Sequence, residues 1–446
     1  MEFALENSRG KYSSLGTEFQ TSALFSLMNG MTQRYEAAKL REICFPTSLR
    51  LCVFAFKAIP IVALLLLSVG CASTSAYRVP LTGDIMVDGP RMIAEGPPRD
   101  RVLWQYRTAA AAMRRGDFEQ AKALLDAALT RLQGVYGADA EARKSRGLFN
   151  EEARKTFIGE PYERSMAYFY RGVLYWMDGE LDNARACFRS AEFEDSGAEV
   201  SEYRGDWVLP DYLAGLATTK LGGKGDDELK RARANAKNIN LPDYQPQANV
   251  LFVLEYGPGP QKYSSGEYAE QLRFRTRSSS VVSAQIKTGS INLQVAPTDD
   301  VNFQATTRGG RVMDYVLANK AVFKSTTSAV GDAAIISGAI LASGRNHRNS
   351  AADEIGLGLM AAGILSKFIS AATTPEADTR QWDNLPQFIS FATLKLAPGE
   401  HVVTVEFNDI NGAPLSHLTK NITVNVPSDG DKVVFVSDAS ITPQSQ

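Results

Sequence analysis

Residues 165–191 read SMAYFYRGVLYWMDGELDNARACFRSA. Tyr168, Gly172 and Tyr175 recur at helical spacing, Gly179-Glu180 interrupts the run, and Leu181, Ala184, Phe188 and Ala191 resume it. Each residue type has a cause. A small residue lets two helices approach where they cross, and aromatics one turn away fill the gap to the next element. A glycine followed by an acidic residue ends the first helix and caps the second. The stretch therefore predicts an antiparallel helical hairpin.

The same spacing occurs upstream. An Ala-rich helix leads to Arg115-Gly116-Asp117, and Gly116, Phe118, Ala121, Leu125 and Ala128 repeat the second half of the pattern. A third copy, residues 212–236, is degenerate: Gly215, Gly222, Leu229 and Ala232 align only with an insertion at 223–226. The pattern resembles the tetratricopeptide repeat, whose tandem period is about 34 residues. Gly116 and Gly179 are 63 residues apart, so a further helical segment at 138–155 is expected between the two better copies. A generic α-helical bundle with Ala-rich faces is the alternative. Either makes residues 100–241 a scaffold presenting a groove, and such solenoids bind peptides or partner proteins.

Beyond residue 242 the pattern changes. Asn249-Val250-Leu251-Phe252-Val253-Leu254-Glu255-Tyr256 is a strand rich in branched and aromatic residues, stopped by Gly257-Pro258-Gly259-Pro260. Further strands are expected at 283–295, 301–306, 388–396, 401–408, 416–426 and 432–437, with hairpin turns around 397–400 and 408–413. Two Gly/Ala-rich helices, 311–343 and 352–372, form an insert. Small residues about four apart allow close helix contact, but the Gly/Ala-rich runs within them, 330–342 and 356–363, are shorter than a span, and Asp332, Asp353 and Glu354 interrupt the region, so packing against the sheet is preferred to membrane insertion. The fold class is α+β: helical repeats, then a β-rich domain over 242–440, an antiparallel sheet or sandwich with the helical insert 311–372, then a tail at 441–446.

Upstream of the repeats lies an export pattern. Arg34, Lys39, Arg41, Arg50 and Lys57 form a basic flank, thirteen uncharged residues follow, and Leu64 to Ser73 read LLLLSVGCAS. Pro60 and the short apolar run argue against a straight spanning helix. Ser68-Val69-Gly70-Cys71 resembles a bacterial lipoprotein signal, which implies acylation of Cys71 and cleavage before it. An uncleaved anchor and ordinary cleavage near Ala76 are the alternatives. Ala72 resembles the outer-membrane sorting pattern. Residues 1–70 are thus leader and export signal, with Met28 or Met31 the more economical start, and 71–99 form a Pro/Gly-rich linker.

Composition bounds the rest. A chain of 446 residues with 44% hydrophobic content can bury a sizeable core over two or three domains. A net charge of −2 implies no general electropositive face, and no nucleic-acid partner is expected. Of Cys44, Cys52, Cys71 and Cys187, only Cys187 remains for the mature domain. It has no disulfide partner and reads as a small apolar residue in a helix. His347, His401 and His417 show no metal-ligand spacing, and no nucleophile elbow, phosphate loop or H-E-x-x-H occurs. Glu160 and Glu163 beside Arg164 read as a helix cap with ion pairs, and Pro161 suits a first helical turn. Trp382 with Leu385-Pro386 reads as a hydrophobic plug between the insert and the returning sheet. No cofactor, metal or catalytic residue is expected.

Several short motifs occur in order: Phe149-Asn150-Glu151-Glu152; Gly159-Glu160-Pro161-Tyr162-Glu163-Arg164; Glu255-Tyr256-Gly257-Pro258-Gly259-Pro260 with Lys262; Asp378-Thr379-Arg380-Gln381-Trp382-Asp383-Asn384-Leu385-Pro386; and Ala397-Pro398-Gly399-Glu400-His401. Together they resemble a family of bacterial envelope lipoproteins with tetratricopeptide-like repeats, over roughly residues 100–430. The glycine-rich insertion near Gly222 and the long leader depart from it. The resemblance implies an envelope setting near cell-wall synthesis and transfers no catalytic residue. The expectation is a non-catalytic, lipid-anchored scaffold on the periplasmic side of the outer membrane, binding envelope proteins through its repeats. The rival is a carrier using the β region to hold an envelope polymer or apolar ligand. The first predicts an exposed groove over the repeats, the second a concave, aromatic-lined pocket in the β region.

Overall fold

Strand β1 (Val250–Pro258) is covered on both faces, which is why its sequence is almost continuously apolar rather than alternating. The computed structural model describes residues 80–135, 156–195, 205–236, 241–307 and 376–446. Period-two geometry sends Leu251, Val253 and Glu255 to one side of β1 and Val250, Phe252, Leu254 and Tyr256 to the other. The first set joins a core shared with the helices, and the second joins a core shared with another sheet. The layers are therefore helix, sheet, sheet. The boundary at 241/242 marks a change of secondary structure, while one apolar core runs across it.

Among the described residues the helical layer begins with α1 (Ile85–Glu95) and continues as three hairpins. These are α2 (Arg101–Arg115) with α3 (Phe118–Val135), α4 (Pro161–Met177) with α5 (Leu181–Asp195), and α6 (Val208–Lys220) with α7 (Asp226–Asn235). Each pair packs on the next through α3 against α4 and α5 against α6. Gly116 and Gly179 end their helices in the left-handed conformation, at φ +78° and +77°. Gly172 meets Phe188 so closely that a Cβ there would lie 2.6 Å from the ring. Gly215 makes the corresponding approach in the third pair, where a Cβ would lie 2.8 Å from that of Glu228.

The middle sheet has strand order β10-β1-β7-β6, and the outer sheet β11-β9-β8-β4-β5. The strands are β4 (Ser283–Thr288), β5 (Ile291–Val295), β6 (Asp299–Asp300), β7 (Pro386–Leu394), β8 (Gly399–Asn408), β9 (Lys420–Val426), β10 (Lys432–Ser437) and β11 (Gln444–Ser445). Both sheets are mixed rather than purely antiparallel, because β1 pairs with β10 in parallel and β9 with β11 likewise. A separate ribbon joins β2 (Gln261–Ser265) to β3 (Gln271–Arg275).

Several expectations are corrected. Residues 85–95 of the expected linker are α1, capped by Asp84, whose side chain accepts from Met86 N–H. Its Gly89 is no linker signal but a contact: a Cβ there would lie 1.9 Å from the Thr108 hydroxyl on α2. Residues 301–306 are the short helix α8 (Val301–Thr306), because the Asp300 side chain accepts from the Asn302 and Phe303 amides and so opens a helix. The run at 283–295 is two strands turning at Gly289 (φ +55°). The segment from Ser416 starts as a 3-10 turn holding His417, with the strand beginning only at Lys420. Residues 397–400 are no hairpin: β7 belongs to the middle sheet and β8 to the outer one, so the chain changes layers there. The 408–413 connection does join paired strands, β8 and β9. The expected tail carries β11, which lies along β9.

Cys71 and the export segment, the 138–155 segment, Phe149 to Glu152, both insert helices and His347 lie outside the described residues. Among those described, no helix is long and apolar enough to cross a membrane.

Candidate functional site

Three of the quoted motifs, far apart in sequence, meet where the helices join the middle sheet. The first is the opening of α4. Pro161 occupies its first turn, and Glu160 and Glu163 form a reciprocal capping box. Glu163 does more than cap. Its carboxylate is fully buried, with Oε2 accepting from the Glu160 amide (2.6 Å) and from Lys262 Nζ (2.5 Å), and Oε1 from the Trp382 amide (2.7 Å). A buried charge is tolerable only when paired and hydrogen-bonded, and this one is both.

Lys262 arrives on β2, just past Gly257-Pro258-Gly259-Pro260. That turn is tight: a Cβ on Gly259 would lie 2.5 Å from the Leu385 carbonyl oxygen. Lys262 also donates to the Arg380 carbonyl (3.0 Å), and its ammonium stands 5.5 Å from the Phe157 ring centroid. The third motif, residues 378–386, is strapped across this pair. Arg380 bridges Asp378 (2.6 Å) and Asp100 (2.7 Å), and the Gln381 side chain accepts from the Lys262 amide. Trp382, 1% exposed, stacks on Tyr106 at 4.6 Å and meets Tyr170 edge-on at 5.8 Å. It packs among α2, α4 and the sheet, while the insert expected beside it lies outside the described residues.

A second buried ion pair lies beyond the tryptophan. Glu255, on the helix-facing side of β1, accepts from Arg114 Nε at 2.6 Å and from the Tyr170 hydroxyl. Burial, followed by the Glu255 charge beside it, holds the Tyr170 phenol well above its ordinary pKa, so it stays protonated and donates. Arg114 also donates to the Asn384 carbonyl (2.7 Å), and its own carbonyl at the end of α2 accepts from Ile441 and Gln444 near the C-terminus. A third tie joins Lys220 and the Trp176 indole to Asp431, at 2.7 and 2.9 Å. The charged groups are paired with one another, whereas the buried Trp382 indole N–H and Tyr106 hydroxyl find no hydrogen-bond partner among the described residues. The arrangement aligns two layers.

A cavity of about 380 Å³ opens elsewhere along the same seam, lined by Asp206, Val208, Pro297, Asp299, Phe303 and Phe388 among others. That volume lies at the lower end of ligand-pocket sizes. Asp299 caps α6 from across the seam, accepting from the Val208 and Leu209 amides at 3.1 and 2.7 Å. Burial nevertheless lifts its carboxyl well above the usual range. Glu192, on α5, is pushed up to about 9, first by burial and then by the Asp211 charge.

The remaining candidates scatter. His401 lies on β8, bonded to the Ala397 carbonyl at 2.8 Å, and His417 sits in its turn. Cys187 is half-buried on α5, its thiol pushed up to about 12 by burial, and so is a poor nucleophile. Among the described residues no cluster of His, Cys, Asp or Glu could hold a metal ion. In the sequence Glu163, Glu255, Lys262 and Trp382 stand in separate motifs with nothing local to link them. A charged residue inside an apolar strand, as Glu255 is, was the available signal that a partner must come from another layer. The chain matches no protein-family model, no curated protein and no solved structure.

Proposed function

We propose that this chain is a non-catalytic, lipid-anchored envelope protein, held to a membrane by acylated Cys71, whose tetratricopeptide-like helical repeats serve as a docking scaffold for other envelope proteins. The observation that carries the reading is the stack of three helical hairpins with close glycine crossings and left-handed glycine turns. One feature of the stack redirects the expected binding mode. The apolar faces of α2, α4 and α6 are packed on Leu251, Val253, Ile389, Val433 and Phe435 of the middle sheet, so the chain's own strands fill the side where a peptide groove was expected. Partner contact is therefore assigned to the outward faces of α3, α5 and α7, where Ala123, Ala186 and Lys230 are exposed.

Photo-crosslinkers placed at Ala123, Ala186 and Lys230 in envelopes should capture a common protein. Capture from none of them, with intact protein present, would sink the scaffold. Intact-mass measurement of membrane-extracted protein tests the anchor: acyl chains on an amino-terminal Cys71 are expected, and a Cys71→Ser chain should turn soluble or remain unprocessed.

A second reading is supported by the cavity. Phe303 and Phe388 give it an aromatic wall, as the carrier hypothesis requires, although it lies on the helix–sheet seam rather than within the β region alone. A glycan fragment or fatty acid that raises the melting temperature of the native chain, but not of Phe388→Ala, would favour the carrier.

A further inference from the structure

Most arginines of the described helices and loops are tied to carboxylates, as Arg107, Arg114, Arg164, Arg171, Arg231 and Arg380 are. The ribbon β2–β3 breaks that habit. Its inward face is anchored: Leu272 is buried beside Ala377, Phe274 meets Tyr162 edge-on at 5.7 Å, and Lys262 reaches Glu163. Strand alternation then turns Arg273 and Arg275 outward, and Arg277 follows two residues past the end of β3; all three are exposed. No carboxylate among the described residues pairs with any of them. Arg273 donates instead to the Gln271 side chain (2.7 Å), and the Arg275 guanidinium lies 5.1 Å from the centre of the Tyr263 ring. Tyr263 stands opposite Arg273 in the register and is 38% exposed. The exposed acids nearby, Glu267 and Glu376, sit at the turn end of the ribbon, away from Arg275 and Arg277.

We propose that this arginine–tyrosine strip is a contact surface for the phosphate headgroups of an anionic membrane. Alternate residues of a strand are about 7 Å apart, so each guanidinium engages its own phosphate. Arginine forms bidentate bonds to that group and sheds water more readily than lysine. A tyrosine between them suits a boundary where one end of the ring is apolar and the other wet. A two-stranded ribbon encloses no pocket between its outward side chains, so it reads charge spread over a surface rather than one enclosed anion. The proposal deepens the tethered reading by adding a second membrane signal beside the acyl group, a combination that makes anchoring stable.

The test uses the full-length Cys71→Ser chain, so that it stands or falls without the lipid. Partition is measured onto phosphatidylglycerol-containing vesicles and onto pure phosphatidylcholine vesicles. The ratio of the two removes the apolar contribution of the leader, and the leader's basic flank, common to every variant, cancels when variants are compared. Replacing Arg273, Arg275 and Arg277 together by Gln should lower that ratio by about a hundredfold, and each alone by about fivefold. The triple Lys variant should keep most of the preference, and an unchanged melting temperature in both triples would show that the fold survives. An unchanged ratio in the Gln triple overturns the proposal. So does competition by millimolar inorganic phosphate or by polyglutamate as strong as that of the vesicles, since either would place the recognised charge off the membrane.

Discussion

The two cores on either side of the middle sheet are built differently. Between the sheets the lining is almost wholly aliphatic and aromatic, with Phe252, Leu254, Val405, Phe407, Ile422 and Val424, and its polar contacts are uncharged, as where the Tyr256 hydroxyl meets Ser390 at 2.8 Å. Between helices and sheet the apolar lining is pierced by Glu163–Lys262, Glu255–Arg114 and Asp431–Lys220. Apolar burial is non-directional and supplies the larger part of stability in both. Buried ion pairs add little net stability against apolar isosteres, but they heavily penalise any arrangement in which a partner is missing. The sandwich is thus held by bulk, and the seam is held in one register.

Substitutions in the two cores sharpen this contrast. Lys262→Met leaves Glu163 charged and buried, and should destabilise the chain by about 3–5 kcal/mol in denaturant unfolding. Adding Glu163→Gln should restore most of the loss; a double variant no better than the single would mean that packing, not charge, holds the seam. In the other core, Phe407→Ala should cost about 3–5 kcal/mol through lost burial and a cavity. That loss should keep its size from pH 5 to pH 8, since the described residues clustered around Phe407 are apolar.

Gly172→Ala drives a methyl into the Phe188 ring and should cost about 1–3 kcal/mol, whereas the same change at Gly179 strains a left-handed turn without a steric clash. A further effect concerns pH. Glu192 titrates near 9 in the folded chain, against an ordinary 4.5, so the folded state holds the proton more tightly than the unfolded. Its contribution is present below the unfolded pKa and is lost as pH rises through the window from about 4.5 to 9. Glu192→Gln should flatten that decline in melting temperature and leave acid stability unchanged. A steeper decline would refute the assignment.

Elements whose causes are local were readable in advance. The hairpin at 165–191 followed from Gly172 and Gly179, and β1 from its run of branched and aromatic residues. Others were hidden because one local signal serves two outcomes. Ala397-Pro398-Gly399-Glu400 turns the chain equally well whether it returns within a sheet or passes to the next, and only the pairing partners of β7 and β8 distinguish the cases. Asp300 before an apolar run was a legible helix cap, yet the alternation of Val301 and Phe303 hid it. The arginine strip stands in the sequence as R-F-R-T-R at 273–277, a local cluster that a whole-chain net charge of −2 averages out. The seam was half legible: its residues stood out, and their meeting did not.

By itself the sequence determined that helices precede strands, where the tightest turns fall and which residues must be buried, because propensity, capping and hydrophobic period act over a few residues. Only the tertiary structure decided that the middle sheet covers the faces of the first helices, and that Glu163, Lys262 and Trp382 converge across some 220 residues of chain. Such long-range choices depend on which apolar faces find each other and which buried charge finds its counter-charge, and no short window of sequence contains both partners.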